Sequence, residues 1–567
     1  MKKRWRYISK PPEEAIRALS RQINVNPYLC TVLIQRGIDN FESARDFFRP
    51  TLDMLHDPFL MKGMSEAVER FNNAIRNQER VLIYGDYDVD GTTAVALVYS
   101  YLKTFYNHCE IYIPDRYSEG YGVSREGIEW AHNNGFSLIV ALDCGIKAMD
   151  MVRLAKEYGI DFVICDHHVP GSVVPEAVAV LDPKQEDCCY PFKELSGCGL
   201  GFKFMQAYAR RYRDEQEVFR YLDLVAVSIA SDVVPIIGEN RVLAHFGTKK
   251  LNSNPTPGLK ALMDVAGVTS VLDVSGIVFT LGPRINAAGR IDHASAAVKM
   301  LTARTVEEAQ SFAAALDENN DMRRKYDLNI TEEALKMIEG DETHRIAKST
   351  VLFKDTWHKG VIGIVAARCV ERYYRPTIIL TASNDKLTGS ARSIHGFDLY
   401  QAISACSDLL EKFGGHKYAA GLTLDPNNLP AFRQRFEEVV AANLTPEMLI
   451  PVIDIDTEVH FDAITPKFVN ILKQMAPFGP ENPTPVFVAH NVYVFNSLSR
   501  FKEKHIRFLA GQEGAQNVFQ VVGFNLAEYY ERLQAGGRFS LAFHIEENTY
   551  NGTTSIQLRL KDIKGIE

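Results

Sequence analysis

Three aspartates follow a short apolar run in residues 81–94. The segment reads VLIYGDYDVDGTTA, so Asp86, Asp88 and Asp90 come directly after the run VLIY. This spacing matches the first positions of an EF-hand calcium loop. The EF-hand interpretation fails at the twelfth position, where the loop requires a glutamate and this chain has Leu97. An EF-hand loop also joins two helices, whereas this one follows a predicted strand. A solvated acidic turn remains as the alternative for the isolated segment.

Two further apolar runs end in acidic residues or histidines. Asp143 follows LIVAL, and Asp166, His167 and His168 follow FVIC. In an open parallel sheet, ligands bind outside the carboxyl ends of the strands, where the strand order reverses. Three strands that place Asp and His at this edge indicate one site, because solvated turns explain one such end more easily than three. Asp232, in ASDVVP after a helical stretch, is a further candidate.

So many carboxylates in one crevice would repel one another unless cations neutralise them. A mixture of carboxylate and imidazole suits manganese, magnesium or zinc better than calcium, which prefers oxygen alone. Two such ions roughly 3.5–4 Å apart form the usual arrangement for attack on a phosphate ester. The residues therefore predict a two-metal site that acts on phosphorus.

The elements around these residues alternate between strands and helices. From about 81 to 182, short β-branched runs such as VLIY and EIYIP alternate with helical stretches such as TTAVALVYSYLKTF. This pattern predicts a parallel sheet that is covered on both faces, in a doubly wound α/β domain. Residues from about 303 to 340 predict a long helical connector. A second α/β unit follows, around the helical stretch GVIGIVAARCVERYY.

The composition changes at the proline-rich stretch QMAPFGPENPTPVF, which predicts a turn-rich domain boundary. Beyond it, short alternating segments such as VFVAHNVYVFN and HIRFLAG predict a small β-barrel or sandwich of OB-fold size. The stretch RFKEKHIRF in this region mixes aromatic and basic side chains. That mixture suits stacking on single-stranded bases, and an exposed charged hairpin is the alternative.

The overall composition is that of an ordinary soluble protein with roughly three or four domains. The chain has 567 residues, of which 46% are hydrophobic and 24% are charged. Its nine cysteines form no CxxC pair and predict reduced thiols. The formal charge is 63 − 71 = −8, so binding of a nucleic acid would require a locally basic surface. No apolar run predicts a signal peptide or a membrane span, and we expect a cytoplasmic protein.

The sequence lacks the phosphate-binding motifs of two other classes of enzyme. The chain has no GxxxxGK[ST] and no convincing GxGxxG. A nucleotide-hydrolysing motor and a Rossmann dehydrogenase are therefore disfavoured.

Eight collinear motifs resemble those of the DHH phosphoesterase superfamily, and within it those of bacterial exonucleases specific for single-stranded DNA. The motifs are DYDVDG, LDCGI, DHH, ASDVVP, GPRINAAGR, WHKGVIGIVAAR, SARS and FGGH. The resemblance implies an α/β fold with a doubly wound parallel-sheet DHH domain, a long helical connector, a second α/β domain called DHHA1 and a C-terminal OB-like β-barrel. The implied division is an N-terminal helical extension at 1–70, the DHH catalytic domain at 71–300, the connector at 301–345, the DHHA1 domain at 346–450 and the OB-like domain at 451–567.

The resemblance also implies a nuclease with two divalent ions, manganese or magnesium. It would degrade single-stranded DNA from the 5′ end to mononucleotides, in DNA repair and recombination. The implied metal ligands are Asp86, Asp88, Asp90, Asp143, His167, His168 and Asp232. Asp166, His167 and His168 are implied in catalysis, and Asp90 and Asp166 are either ligands or groups that orient ligands. The implied substrate-binding residues are Arg116, Arg284, Ser390, Arg392, Gly414, Gly415 and His416.

Two rival functions remain at this point. One is an oligoribonuclease or cyclic-dinucleotide phosphodiesterase of the same superfamily, although those enzymes usually lack an OB-like tail. The other is a non-catalytic relative that only binds DNA, which we expect to lack metal-binding acids that are present here. The expected partner is single-stranded DNA, and a single-stranded-DNA-binding protein and a helicase are further candidates. We expect a monomer without membrane contact.

Overall fold

The N-terminal region begins with a strand and three helices. The structure is a computed structural model that describes residues 3–550 and 552–565. The elements of this region are β1 (Arg4–Tyr7), α1 (Glu13–Ile23), α2 (Pro27–Gln35) and α3 (Phe41–Phe48). The side chain of Asn26 caps α2, and Asn40 and Ser43 form a capping box at the start of α3. These caps satisfy backbone N–H groups that have no partner inside the helix.

Short apolar strands form the first sheet, and both of its faces are buried. The strands are β2 (Val81–Gly85), β3 (Cys109–Tyr112), β4 (Leu138–Leu142), β5 (Asp161–Cys165) and β6 (Ala179–Leu181). The helices of this part of the chain are α4 (Met64–Arg76), α5 (Val89–Leu102), α6 (Arg125–Asn133) and α7 (Met149–Glu157). All pairings are parallel, in the order β3-β2-β4-β5-β6. The strand order therefore reverses between β2 and β4, and a crevice opens there.

A helical layer and a long connecting helix follow the first sheet. The helices are α8 (Gly197–Tyr212), α9 (Leu222–Ser231), α10 (Gly238–Ser253), α11 (Pro257–Val265), α12 (Val274–Ile291), α13 (Ser295–Leu301) and α14 (Val306–Gly340). The last of these has 35 residues and is about 50 Å long. It confirms the predicted connector. No helix in the described part of the chain is both long and apolar enough to cross a bilayer.

The second α/β unit contains a mixed sheet. Its elements are α15 (Glu342–Ile346), β7 (Thr350–Phe353), α16 (Ile362–Tyr373), β8 (Thr377–Ser383), β9 (Lys386–Arg392), α17 (Leu399–Ser404), β10 (Lys412–His416), β11 (Ala419–Leu424) and α18 (Leu429–Asn443). The order is β10-β11-β9-β8-β7, in which only β7 and β8 are parallel. The helix α16 crosses over between these two parallel strands, as the sequence predicted.

The C-terminal region is rich in strands, as predicted. Its elements are β12 (Val452–Ile455), β13 (Thr457–Glu458), α19 (Pro466–Gln474), β14 (Phe487–Phe501), β15 (His505–Gln512), β16 (Val518–Gly523), α20 (Tyr530–Gln534), β17 (Phe539–Tyr550) and β18 (Thr553–Lys564). Strand pairings run β14-β15-β16-β18-β17, and β17 also pairs with β14. Strands β16 and β18 are parallel, and the other neighbours in this ring are antiparallel. Five strands connected in this way have the pairing order of an OB-fold.

The two ends of the chain share one hydrophobic core. Leu19, Leu29 and Leu33 of the N-terminal helices belong to the same buried cluster as Phe468 and Phe508 of the C-terminal region. Strand β1 pairs in parallel with β12, from Arg4↔Val452 to Tyr7↔Ile455. The N-terminal helices therefore complete the apolar core of the OB-like domain, although more than 400 residues separate them in sequence.

This shared core leads to a stability prediction. Leu33 is fully buried in it, so Leu33→Ala should cost about 2–5 kcal/mol of unfolding free energy. Hydrogen exchange should show faster exchange of amides in β14–β18 as well as in α2. The control Leu60→Ala alters a leucine that is 48% exposed and should leave those strands protected. If only the N-terminal helices lose protection, the helices form a unit independent of the OB-like domain.

Candidate active site

Acidic side chains from three strand ends meet at the crevice between β2 and β4. Asp86 follows β2, Asp143 follows β4 and Asp166 follows β5, and all three are buried. His167 comes next in the chain, and its Nε2 lies 3.2 Å from Asp143 Oδ1. Parallel pairing of the strands brings these residues together because it aligns their carboxyl ends at one edge of the sheet.

His167 is shared by two groups of potential metal ligands. Its Nε2 lies 3.7 Å from Asp90 Oδ2 and 3.6 Å from Asp232 Oδ2. The two groups are Asp143 with His167 and His168, and Asp90 with His167 and Asp232. Within each group the donor atoms lie within 4.8 Å of one another. The two overlapping groups bring together enough donors for a pair of neighbouring ions, with His167 Nε2 available to one of them.

Helix starts hold two of the acids of DYDVDG in place. Asp88 is the N-cap of α5. Asp90 lies in the first turn of α5. Its carboxylate accepts hydrogen bonds from the N–H groups of Gly197 and Cys198, at the start of α8, at 2.7 and 2.8 Å. The hydroxyl of Ser228 donates to it at 2.6 Å. Both Asp90 oxygens therefore have donors at the start of α8, where the helix dipole favours a negative charge.

Other polar atoms of the cluster have no hydrogen-bond partner among the described residues. They are Asp86 Oδ2, Asp143 Oδ1 and His167 Nδ1, and each is buried. The 3.2 Å approach of His167 Nε2 to Asp143 Oδ1 does not have the geometry of a hydrogen bond. A buried polar atom without a partner costs free energy, and native structures contain few of them. Carboxylate and imidazole donors suit manganese or magnesium. The residues present therefore fit divalent cations.

Burial and mutual repulsion raise the pKa values of three carboxyl groups in the cluster. Burial, and then the charge of Asp88, raises the pKa of Asp86 well above its usual value. Burial, and then the charge of Asp90, does the same to the pKa of Asp143. The pKa of Asp232 is raised to about 8 by burial, and then by the charges of Asp90 and Asp88. Deprotonating these acids together therefore requires neighbouring positive charge.

Asp166 and His168 form an ion pair beside this cluster. His168 Nδ1 lies 2.7 Å from Asp166 Oδ1. Burial would raise the pKa of Asp166, but the hydrogen bond and the charge of His168 outweigh it and lower that pKa. Burial would lower the pKa of His168, but the hydrogen bond and the charge of Asp166 raise it. A carboxylate that orients a histidine in this way is common beside bound metals.

The sequence interpretation missed Asp182, which follows β6 at the same edge of the sheet. Asp182 is fully buried, and its Oδ2 has no hydrogen-bond partner among the described residues. Its pKa is raised to about 7, chiefly by burial. The signal was present in the sequence, because AVAVLD ends in an acid as the other strands do.

In the second lobe, Ser390 and Arg392 of strand β9 lie against the start of α16. Arg392 Nη1 donates to Ser390 Oγ at 3.1 Å. A Cβ added at Gly363 would lie 2.8 Å from Ser390 Oγ and 3.0 Å from Arg392 Nη2. The first turn of α16 therefore abuts both side chains, and a side chain at position 363 would displace the Ser390 hydroxyl or the Arg392 guanidinium.

Arginines from the first lobe face this pair. Arg290 donates from Nη1 to the Gly360 carbonyl at 3.0 Å, which connects the two lobes. Its pKa is lowered to about 10 by burial, and then by the charges of Arg116, Arg392 and Arg323. A cluster of like charges of this kind suits an anion with several oxygens, such as a phosphate. Arg290 was not predicted, although it lies in the motif GPRINAAGR.

The other predicted substrate residues lie outside these two clusters. Arg284 donates to Asp317 at 2.7 Å, so its guanidinium already has a carboxylate partner. Gly414, Gly415 and His416 lie on the exposed edge strand β10. A Cβ added at Gly414 would meet no atom within 4 Å. This strand is open to an incoming ligand, and its role stays a prediction.

Comparisons with known families define the class of protein. Residues 80–229 match the DHH family, N-terminal domain. Residues 346–442 match the DHHA1 domain, and residues 455–562 match the RecJ OB domain. The chain therefore combines a DHH phosphoesterase domain with a DHHA1 domain and an OB domain, which confirms the predicted fold class.

Individual relatives narrow this class. The single-stranded-DNA-specific exonuclease RecJ of Bacillus subtilis (strain 168) is 38% identical over 566 residues, which are 99% of this chain and 71% of that protein. The crystal structure of RecJ in complex with Mn²⁺ from Thermus thermophilus has a TM-score of 0.84 and 27% identity, over 99% of this chain and 79% of that one. The Mg²⁺ complex of RecJ from the same organism has a TM-score of 0.77 and 25% identity, over 99% of this chain and 78% of that one. The chain belongs to the RecJ family.

The raised pKa of Asp232 predicts how stability depends on pH without metal. Folding raises this pKa from 3.8 to about 8, so the folded state binds the proton more tightly than the unfolded state does. Stability therefore falls as the pH rises from about 4 to about 8. In chelator, Asp232→Asn should melt above the wild type by at least about 2–4 °C at pH 8, the shift that about 1 kcal/mol causes in a domain of this size. At pH 4 the difference should vanish.

Thermal denaturation at a series of pH values measures this difference. The exposed Asp321 on α14 supplies the control, and Asp321→Asn should follow the wild-type curve. If the difference in melting temperature between Asp232→Asn and wild type does not change with pH, the pKa of Asp232 is not raised in the folded protein.

Proposed function

We propose that this chain is a two-metal exonuclease that hydrolyses single-stranded DNA from its 5′ end and releases 5′-mononucleotides. The observation that carries the proposal is the convergence of buried, partly unpartnered Asp and His side chains beside a cluster of arginines from both lobes. Membership of a family whose named members are single-stranded-DNA-specific exonucleases supports the substrate. The proposed setting is DNA repair and recombination in the cytoplasm, as a monomer.

The metal ligands are proposed from the two donor groups. His167 would offer its Nε2 to one divalent ion only, since an imidazole nitrogen has a single lone pair. The other candidate ligands of the two ions are Asp90, Asp143, His168 and Asp232. Asp86 adds an unpartnered carboxylate oxygen to the same crevice, and Asp88 stands at the start of α5 beside it. Manganese or magnesium bound there would lower the pKa of a water molecule and neutralise charge on the attacked phosphate. Asp166 holds His168 in its orientation through their 2.7 Å contact.

The arginine cluster accounts for the proposed polarity. A 5′-terminal phosphate carries one more ionisable oxygen than an internal diester, so it gains more from several guanidinium groups. Arg116, Arg290 and Arg392 supply these groups, and Ser390 supplies a hydroxyl. With the terminal phosphate held there, the next phosphate along the strand reaches the Asp and His cluster. The 3′ oxygen of the terminal nucleotide then departs, and a 5′-mononucleotide leaves.

The OB domain provides a surface for the rest of the strand. Aromatic rings cluster at the turn between β14 and β15: the centroid distances are 5.0 Å for Phe501 and His505 and 5.3 Å for His505 and Phe524. Arg559 lies 5.6 Å above the Phe524 ring. Rings and cations in this arrangement stack bases without regard to sequence. A helicase and a single-stranded-DNA-binding protein are proposed partners, since the first produces this substrate and the second covers it.

The metal centre can be tested through His167, which both donor groups share. His167→Ala should lower the rate of hydrolysis at least about a hundredfold, because even groups that only support metal ligands cost 10–100-fold when they are lost. The assay uses 5′-labelled single strands, 3′-labelled single strands and duplex DNA, each with Mn²⁺, Mg²⁺ or chelator. Wild-type protein should release label first from the 5′ end of single strands, only with metal. The exposed His132 gives the control variant His132→Ala, which should retain full activity.

Two results would contradict this assignment. One is near-normal turnover by a folded His167→Ala protein at saturating Mn²⁺. The other is earlier release of mononucleotides from a 3′ label, which would reverse the proposed polarity.

The arginine cluster can be tested through Arg392. Arg392→Ala should reduce the preference for 5′-phosphorylated over 5′-hydroxyl strands by about ten- to a hundredfold, since contacts to charged groups contribute about 1.5–3 kcal/mol. The measurement is the ratio of kcat/KM for the two substrates in wild type and variant. Arg372→Ala alters an exposed arginine of the same lobe and should leave the ratio unchanged. If Arg392→Ala has the same ratio of kcat/KM values as the wild type, another group recognises the strand end.

A further inference from the structure

The segment that follows Asp232 is held by the C-terminal part of the chain. Residues 233–237 connect α9 to α10, and Ile236 in this segment is fully buried. The N–H of Ile236 donates to the Pro480 carbonyl at 2.8 Å. Pro480 belongs to residues 475–483 between α19 and β14, here called the docking loop. Asp232 therefore lies only four residues from a backbone contact with the docking loop.

Internal hydrogen bonds make the docking loop rigid. Gly479 and Asn482 exchange backbone hydrogen bonds of 2.9 and 3.1 Å. The side-chain amide of Asn482 donates to the carbonyls of Met475 at 3.1 Å and Pro477 at 2.7 Å. A loop connected in this way resists deformation when another segment presses on it.

Arg241 fastens the docking loop to the start of α10. Its side chain is only 6% exposed. Its two terminal nitrogens donate to the carbonyls of Met475, Ala476 and Pro477 at 3.0–3.3 Å. One of them also donates to the Phe47 carbonyl in the N-terminal region at 3.0 Å. The first turn of α10 is thus tied both to the docking loop and to the N-terminal helices.

The backbone of the docking loop packs directly against Ile236 in the segment after Asp232. A Cβ added at Gly479 would lie 2.5 Å from Ile236 Cγ1, so the loop backbone is in direct contact with this side chain. Val233, the residue next to Asp232, has a φ of 61°. This left-handed conformation is unfavourable for a β-branched residue and persists only where the surroundings impose it. The contact between the docking loop and Ile236 lies three residues further along the chain.

We propose that Ile236 and Gly479 are positioning residues for the metal centre. The contact between them fixes the segment that carries Asp232, so docking of the C-terminal region completes the set of metal ligands. This inference depends on Asp232 being a ligand, as the proposed function assigns it. It gives the proline-rich segment a role in the chemistry, in addition to its place at a domain boundary.

Manganese binding by the whole chain, without DNA, tests the proposal. Gly479→Ala should displace Ile236 and weaken Mn²⁺ binding about tenfold, the lower end of the loss seen when groups that support metal ligands are changed. Isothermal calorimetry measures this affinity whether or not the protein is active. Gly340→Ala is the matched control, because an added Cβ there meets no atom within 4 Å. Its Mn²⁺ affinity should equal that of the wild type.

A second variant and the double variant separate this contact from other effects. Ile236→Ala removes the anchoring side chain and should also weaken Mn²⁺ binding. Adding Gly479→Ala to Ile236→Ala should then cause no further loss, because the atom that the new methyl would strike is gone. Ile236→Ala also keeps the test open if Gly479→Ala alone does not fold.

Two outcomes overturn the proposal. One is wild-type Mn²⁺ affinity in the folded single variants. The other is an effect of Gly479→Ala that is equally large with and without Ile236. Failure of the wild-type chain to hydrolyse single-stranded DNA would instead refute the proposed function, and it would leave these binding results unaffected.

Discussion

Repulsion between the carboxylates at the edge of the first sheet is the constraint on which the rest of the structure depends. Asp86, Asp143 and Asp232 are brought so close together that burial and neighbouring charges raise their pKa values. A fold tolerates such a group only if positive charge is supplied when the acids ionise. Unpartnered oxygens on Asp86 and Asp143 show where that charge is missing from the protein itself. Divalent cations are the simplest way to meet this requirement, and they supply the chemistry as well.

Three parts of the structure position the side chains of this centre or lie against it: the first sheet with its helices, the second lobe, and the unit formed by the two ends of the chain. Parallel strands align the acids at one edge, and the starts of α5 and α8 hold Asp88 and Asp90 through capping and hydrogen bonds. The long helix α14 carries the chain to a second lobe, whose Arg392 adds to the positive cluster around Arg290. The N-terminal helices and the OB domain share a core, so the two ends of the chain form one unit. The docking loop connects this unit to the segment after Asp232.

The sequence predicted those features that depend on local pattern. Acids at strand ends were identified because a strand end is visible in a few residues and because parallel strands must align their ends. Asp182 carries the same signal, because it directly follows the apolar run AVAVL. Arg290 and Arg284 could not be separated by sequence, since they share one motif. Only the fold shows that Asp317, 33 residues further on, already pairs with Arg284.

Contacts between distant segments were beyond the sequence analysis for a physical reason. The apolar faces of α1 and α2 predict burial without saying against what. Only the structure shows that the partner lies more than 400 residues away, in the OB domain. The proline-rich stretch was interpreted as a boundary because prolines interrupt regular elements. That interpretation did not reveal the hydrogen bond between Ile236 and Pro480, because it depends on where the two domains meet.

Anomalous diffraction from crystals grown with Mn²⁺ measures the central claim most directly. We predict two manganese peaks roughly 3.5–4 Å apart. His167 should coordinate one of the two ions, and the carboxylates of Asp90, Asp143 and Asp232 should lie next to the pair. A single peak at saturating Mn²⁺, or two peaks away from these residues, would contradict the claim that a pair of cations neutralises the cluster.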